Sequence, residues 1–109
     1  MDAEHVLILT SCPDAEAAGR LATVLVEEGL AACVNIQAGI RSVYKWQGVT
    51  ESATEHLMFI KTAACRYSEV ERAILAHHPY ELPEVIAVPI VGGSKAYLGW
   101  MDSLVCVHS

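Results

Sequence analysis

A chain of 109 residues has room for one modest core, so a single domain is expected across 1–109. With 7 Lys plus Arg against 13 Asp plus Glu, the net charge is −6, which offers no basic footprint for nucleic acid phosphates or anionic lipid. The apolar fraction is 53%, yet no run reaches the ~20 residues of a membrane helix, so the surplus apolar surface is expected at subunit contacts.

The acidic opening Met1-Asp2-Ala3-Glu4-His5 has none of the features of a secretory signal. A cytoplasmic location is expected. Cys12, Cys33, Cys65 and Cys106 show no CxxC spacing, and four reduced thiols are expected. Val6-Leu7-Ile8-Leu9-Thr10 reads as a short strand buried on both faces. Cys12-Pro13-Asp14 breaks it, and Asp14 is placed to cap a helix over 15–28. Gly29 suits the position just past that helix.

Residues 30–36 read as a second strand, and Gly39 marks a bulge or kink within its extension. Beyond it, Ile40, Ser42, Tyr44 and Trp46 share one face. Residues 47–50 are turn-like. A third strand runs over 52–62, with His56, Met58, Ile60 and Thr62 on one face and Leu57, Phe59 and Lys61 on the other. Both strands exceed the usual ~5–6 residues, and a ribbon that overhangs its own domain invites a partner. Glu51 and Glu55 read as its solvated edge.

Ser68 and Glu71 have capping-box spacing at the start of a second helix. Pro79 denies His78 helical angles and ends it. A strand over 85–91 follows. Then come the Gly92-Gly93 turn, a Ser94 cap and a short helix over 95–103; residues 105–109 carry no element signal. The order β-α-β-β-α-β plus a C-terminal helix is the split βαβ, ferredoxin-like α+β fold, with a long hairpin between the second and third strands. Both main helices belong on one sheet face, which leaves the other bare.

No GxSxG, Walker, GxGxxG or HExxH pattern is present, so an enzyme is not expected. The groups with metal-ligand chemistry are His77, His78 and Cys12. A helix C-terminus favours protonated His, whereas neutral imidazole ligates metals. Cys12 falls just past the first strand. If the second helix ends at the N-terminal ends of the strands, Cys12 and the His pair are apart within one chain. Only the register or a neighbouring subunit would then bring them together. Trp46 in the ribbon is a packing residue or a subunit anchor.

Five blocks carry a family likeness: Ala31-Ala32-Cys33-Val34-Asn35-Ile36, Ser42-Val43-Tyr44-Lys45-Trp46-Gln47-Gly48, Ile60-Lys61-Thr62, the stretch from His78 through Pro79-Tyr80 to Pro83-Glu84, and Tyr97-Leu98-Gly99-Trp100. Together they resemble the CutA divalent-cation tolerance family. The resemblance implies a cytoplasmic homotrimer built like the PII signalling proteins, linked to copper and other divalent cations. Copper ligands in the family map onto His77 and His78, while the family's cysteine maps onto Thr10. Cys12 lies two residues on, ~6.6 Å along a strand. The expectation is a non-enzymatic homotrimer that binds Cu2+ or other divalent metal ions at His77, His78 and Cys12. The alternative is a PII-like regulatory module that takes a small ligand or partner protein in inter-subunit clefts, with Trp46, Lys61, Tyr80 and Glu84 as cleft residues.

Overall fold

A computed structural model describes residues 3–106. The branched and aliphatic run after Glu4 forms a strand at His5–Cys12 (β1), longer than the apolar run itself. Asp14 accepts a hydrogen bond from the Ala17 N–H and caps the helix Ala15–Glu27 (α1). That helix ends at Gly29, whose φ of +70° a residue with a Cβ adopts only with strain. The N–H groups of Leu30 and Ala31 both close onto the Leu25 carbonyl. The expected strand over 30–36 therefore starts late, because its first residues are spent finishing the helix.

The hairpin pairs Cys33–Trp46 (β2) with Val49–Ala63 (β3). Its register slips between Gln37 and Ile40, around Gly39 at φ +76°, so the expected bulge is present. Trp46 faces Val49, leaving a two-residue turn with Gln47 and Gly48 both at positive φ. That mirror-image turn matches the twist of the strands.

A single 3₁₀ turn at Ala64–Arg66 leads into the helix Tyr67–His77 (α2). Here the capping box is corrected. Ser68 lies inside the helix, Arg66 precedes it without a side-chain cap bond, and Glu71 accepts from the Tyr67 hydroxyl instead. The 3₁₀ turn starts the helical path before Ser68 is reached. The strand Ile86–Ile90 (β4) and the helix Lys95–Val105 (α3), capped by Ser94, complete the order. Residues 107–109 of the tail lie outside the described residues.

The sheet order is β2-β3-β1-β4, antiparallel throughout. Val6, Ile8, Met58 and Ile60 pack beneath Leu21 and Leu25 of α1 and Val70 and Ile74 of α2. The opposite face is only partly bare, which amends the expectation. Helix α3 lies over one end of it, burying Met101 and Val105 with Ala32 and Ala63. His5 Nε2 stands 2.8 Å from the Asp102 carboxylate and ties α3 to β1.

Candidate functional site

The end of β1 that carries Ser11 and Cys12 is where the chemistry-bearing side chains gather, and the topology explains why. β3 is antiparallel to β1, with Ala63 opposite His5. A helix that follows β3 therefore starts beside the N-terminal end of β1 and ends beside its C-terminal end. The expected separation of the His pair from the Cys12 end of β1 is thus corrected: α2 runs antiparallel to β3 and so alongside β1 in its own direction.

The two adjacent histidines have different surroundings. His77 is exposed on the last turn of α2. His78, bent out of the helix at ψ 137° ahead of Pro79, is buried. Its Nε2 lies 2.7 Å from the Ser11 carbonyl, and its Nδ1 accepts the Tyr80 N–H at 3.0 Å. A carbonyl only accepts and a peptide N–H only donates, so the ring is neutral with its proton on Nε2. Both ring nitrogens are spent on backbone, and His78 works as a staple between the 78–80 turn and β1.

Tyr80 extends the staple. Its hydroxyl donates to Glu55 at 2.7 Å, and its ring lies 4.8 Å from that of His78. Glu55 is only 6% exposed. The reading of Glu51 and Glu55 as one solvated edge therefore holds for Glu51 alone, because the turn after α2 folds over Glu55. Burial, and then the bond to Glu55, hold the Tyr80 phenol well above its ordinary range.

Cys12 is fully buried, and its thiol donates to the Met58 thioether at 3.7 Å. Burial, reinforced by the charges of Asp14 and Glu55, pushes the thiol up to about 11. At neutral pH it is a thiol, not a thiolate. Tested as a copper site, His77, His78 and Cys12 do not fit as found. One imidazole is committed twice over, and the sulfur is engaged by Met58. Among the described residues no group of three or more His, Cys, Asp or Glu side chains is arranged to hold a metal ion.

The four cleft residues are not together in one chain. Trp46 stands at the hairpin tip opposite Val49, and Lys61 lies at the far end of β3, opposite Cys33 and Leu7. The intervening strand spans ~40 Å at ~3.3 Å per residue. Lys61 Nζ sits 5.8 Å from the centre of the Tyr97 ring on α3. Tyr80 is bound to Glu55, and Glu84 is exposed. A cleft that held Trp46 and Lys61 would have to take them from different chains.

The residues that the sequence did not single out are the partners, Met58, Glu55 and His56. A histidine on the same strand face as Met58 and Ile60 was the visible signal. Its opposition to Cys12 needed the strand register.

Residues 6–104 match the family model described as CutA1 divalent ion tolerance protein. The divalent-cation tolerance protein CutA of Thermus thermophilus is 42% identical over 98 residues, covering 90% of this chain and 94% of that one. The chloroplastic CutA of Arabidopsis thaliana is 45% identical over 98 residues. The match takes in 90% of this chain and 54% of the plant protein, so the chain spans about half the length of that relative. The crystal structure of CutA1 from Shewanella sp. SIB1 superposes with a TM-score of 0.95 at 42% identity, covering 98% of this chain and all of that one.

Proposed function

This chain belongs to the CutA1 divalent ion tolerance protein family, and from that premise we propose that it is a non-enzymatic homotrimer that binds divalent cations, Cu2+ foremost. The observation that carries the assembly is the uncovered part of the second sheet face. Ile86 is 50% exposed and Val88 44% on β4, beside Leu9 and Leu7 of β1. At the hairpin, Tyr44, Trp46 and Val49 are exposed too. Apolar surface of this kind gains about 25 cal/mol for each Å² that a neighbour removes from water. Identical chains around a closed axis cover it without leaving an edge.

For the metal, His77 is the donor open to solvent. His78 can join it only by giving up one of its two backbone bonds, and Cys12 only by leaving Met58. Nitrogen donors rank Cu2+ above Ni2+ and Zn2+. Ligation needs neutral imidazole, so protons compete with the metal and the affinity of the site is expected to fall as pH drops.

Calorimetric titration with Cu2+ tests this. His77→Ala is expected to remove most of the binding, and the His77→Ala/His78→Ala double variant all of it. A double variant that binds Cu2+ like the parent places the site elsewhere. The PII-like reading would then lead, with a small ligand or partner protein held between subunits by Trp46, Lys61, Tyr80 and Glu84. The separation of Trp46 from Lys61 within one chain favours an inter-subunit location for any such cleft.

A further inference from the structure

Two buried side-chain polar atoms among the described residues have no hydrogen-bond partner: Thr10 Oγ1 and His56 Nδ1. Buried polar atoms are rarely left so, and each exception calls for a reason. Both fall in the same square of side chains. Thr10 stands opposite Met58 and Cys12 opposite His56 in the β1–β3 register. Directly opposed residues share a face and hold their Cβ atoms ~4.5–5.5 Å apart. Residues two apart on one strand also share it. The other diagonal of the square is the Cys12–Met58 sulfur pair.

We propose that Cys12, Met58 and His56 form a buried soft-metal site for monovalent copper, Cu(I), with Thr10 as its supporting hydroxyl. Three observations converge on it. The sulfurs are 3.7 Å apart, and two metal–sulfur bonds of ~2.3 Å spanning that gap meet at roughly 107°, an angle suited to trigonal or tetrahedral coordination. Thiolate and thioether are the donors that select Cu(I), and imidazole also suits copper. His56 Nδ1 and Thr10 Oγ1 gain partners at once, the nitrogen on the metal and the hydroxyl as a donor to the charged sulfur. Binding replaces the thiol proton of Cys12 by Cu(I) and releases that proton to solvent, with no change of oxidation state. Cys12, Met58 and Thr10 are fully buried while His56 is half-buried, so the imidazole marks the side from which an ion enters.

This site goes beyond the Cu2+ proposal, has Cys12 in common with it but no imidazole, and stands whether or not His77 binds. The test uses reduced full-length protein without oxygen and Cu(I) delivered from a chromogenic chelator. The parent is expected to withdraw one Cu(I) per chain, and X-ray absorption at the copper edge to show sulfur and nitrogen neighbours. Met58→Leu keeps the core volume, and it is expected to weaken binding by at least the roughly 10–100-fold that loss of an outer-shell partner costs. His56→Leu is expected to remove the nitrogen neighbour, and Cys12→Ala to abolish uptake. His77→Ala is expected to leave Cu(I) uptake unchanged while it lowers Cu2+ binding, which separates the two sites. If Cys12→Ala does not fold, the Met58→Leu and His56→Leu arms decide. A parent that takes no Cu(I), or both of these variants binding like the parent, overturns the proposal.

Discussion

Ile60→Ala is expected to lower the stability of the protein by about 2–5 kcal/mol, the usual cost of truncating a fully buried aliphatic side chain to Ala. Ile60 lies in β3, the strand between β2 and β1, opposite Ile8 on one side and Val34 on the other. It packs in the core beneath both main helices and is fully buried. A cavity there has stiff strands around it and little room to collapse. Urea unfolding at one fixed protein concentration reads the effect, because assembly makes apparent stability depend on concentration. Ile60→Val, which removes one methylene, is expected to cost about 0.5–1.5 kcal/mol. Equal midpoints for Ile60→Ala and the parent would show that this part of the core does not carry the fold.

His78→Phe is the second large effect. Phe keeps a ring of similar size against Tyr80, yet it has no nitrogen for the Ser11 carbonyl or the Tyr80 N–H. Ser11 is buried, so its carbonyl has little access to water as a replacement partner. A buried group left unpaired costs about 1–3 kcal/mol. Replacing the exposed neighbour, His77→Ala, is expected to stay within about ±0.5 kcal/mol. Thermal melts of the two variants side by side test this. Equal losses would mean that the staple does not hold the turn, and would return both imidazoles to the metal on the same footing.

The sequence carried the element order because its local signals agreed. Asp14 and Gly29 bracket α1, Pro79 stops α2, and Gly39 and Gly48 mark the bulge and the turn. The family membership was legible for the same reason, in blocks that keep their order along the chain. What stayed hidden depends on pairing. The opposition of Cys12 to His56 follows from a register set over the whole β1–β3 ladder. Glu55 looked solvated because the residue that covers it, Tyr80, is 25 positions away. His77 and His78 looked equivalent because periodicity carries no information on which one leaves the helix axis toward β1.

Helix α3 shows the same limit. Its cap and length were readable at Ser94 and beyond, but its place over the second sheet face rests on the His5–Asp102 pair and on Met101 and Val105 meeting Ala32 and Ala63. Those contacts join the two ends of the chain. They also define what is left for a neighbour: the strip of Ile86 and Val88 beside Leu9 and Leu7, where β4 stays exposed, together with the overhanging hairpin.

A homotrimer requires that strip to be covered by further copies of the chain. Multi-angle light scattering on the unmodified protein at micromolar concentration measures this directly. A chain of 11.8 kDa is expected to elute as a single species of three times that mass, unchanged on tenfold dilution. A mass of one chain under the same conditions would contradict the assembly and the inter-subunit clefts that depend on it.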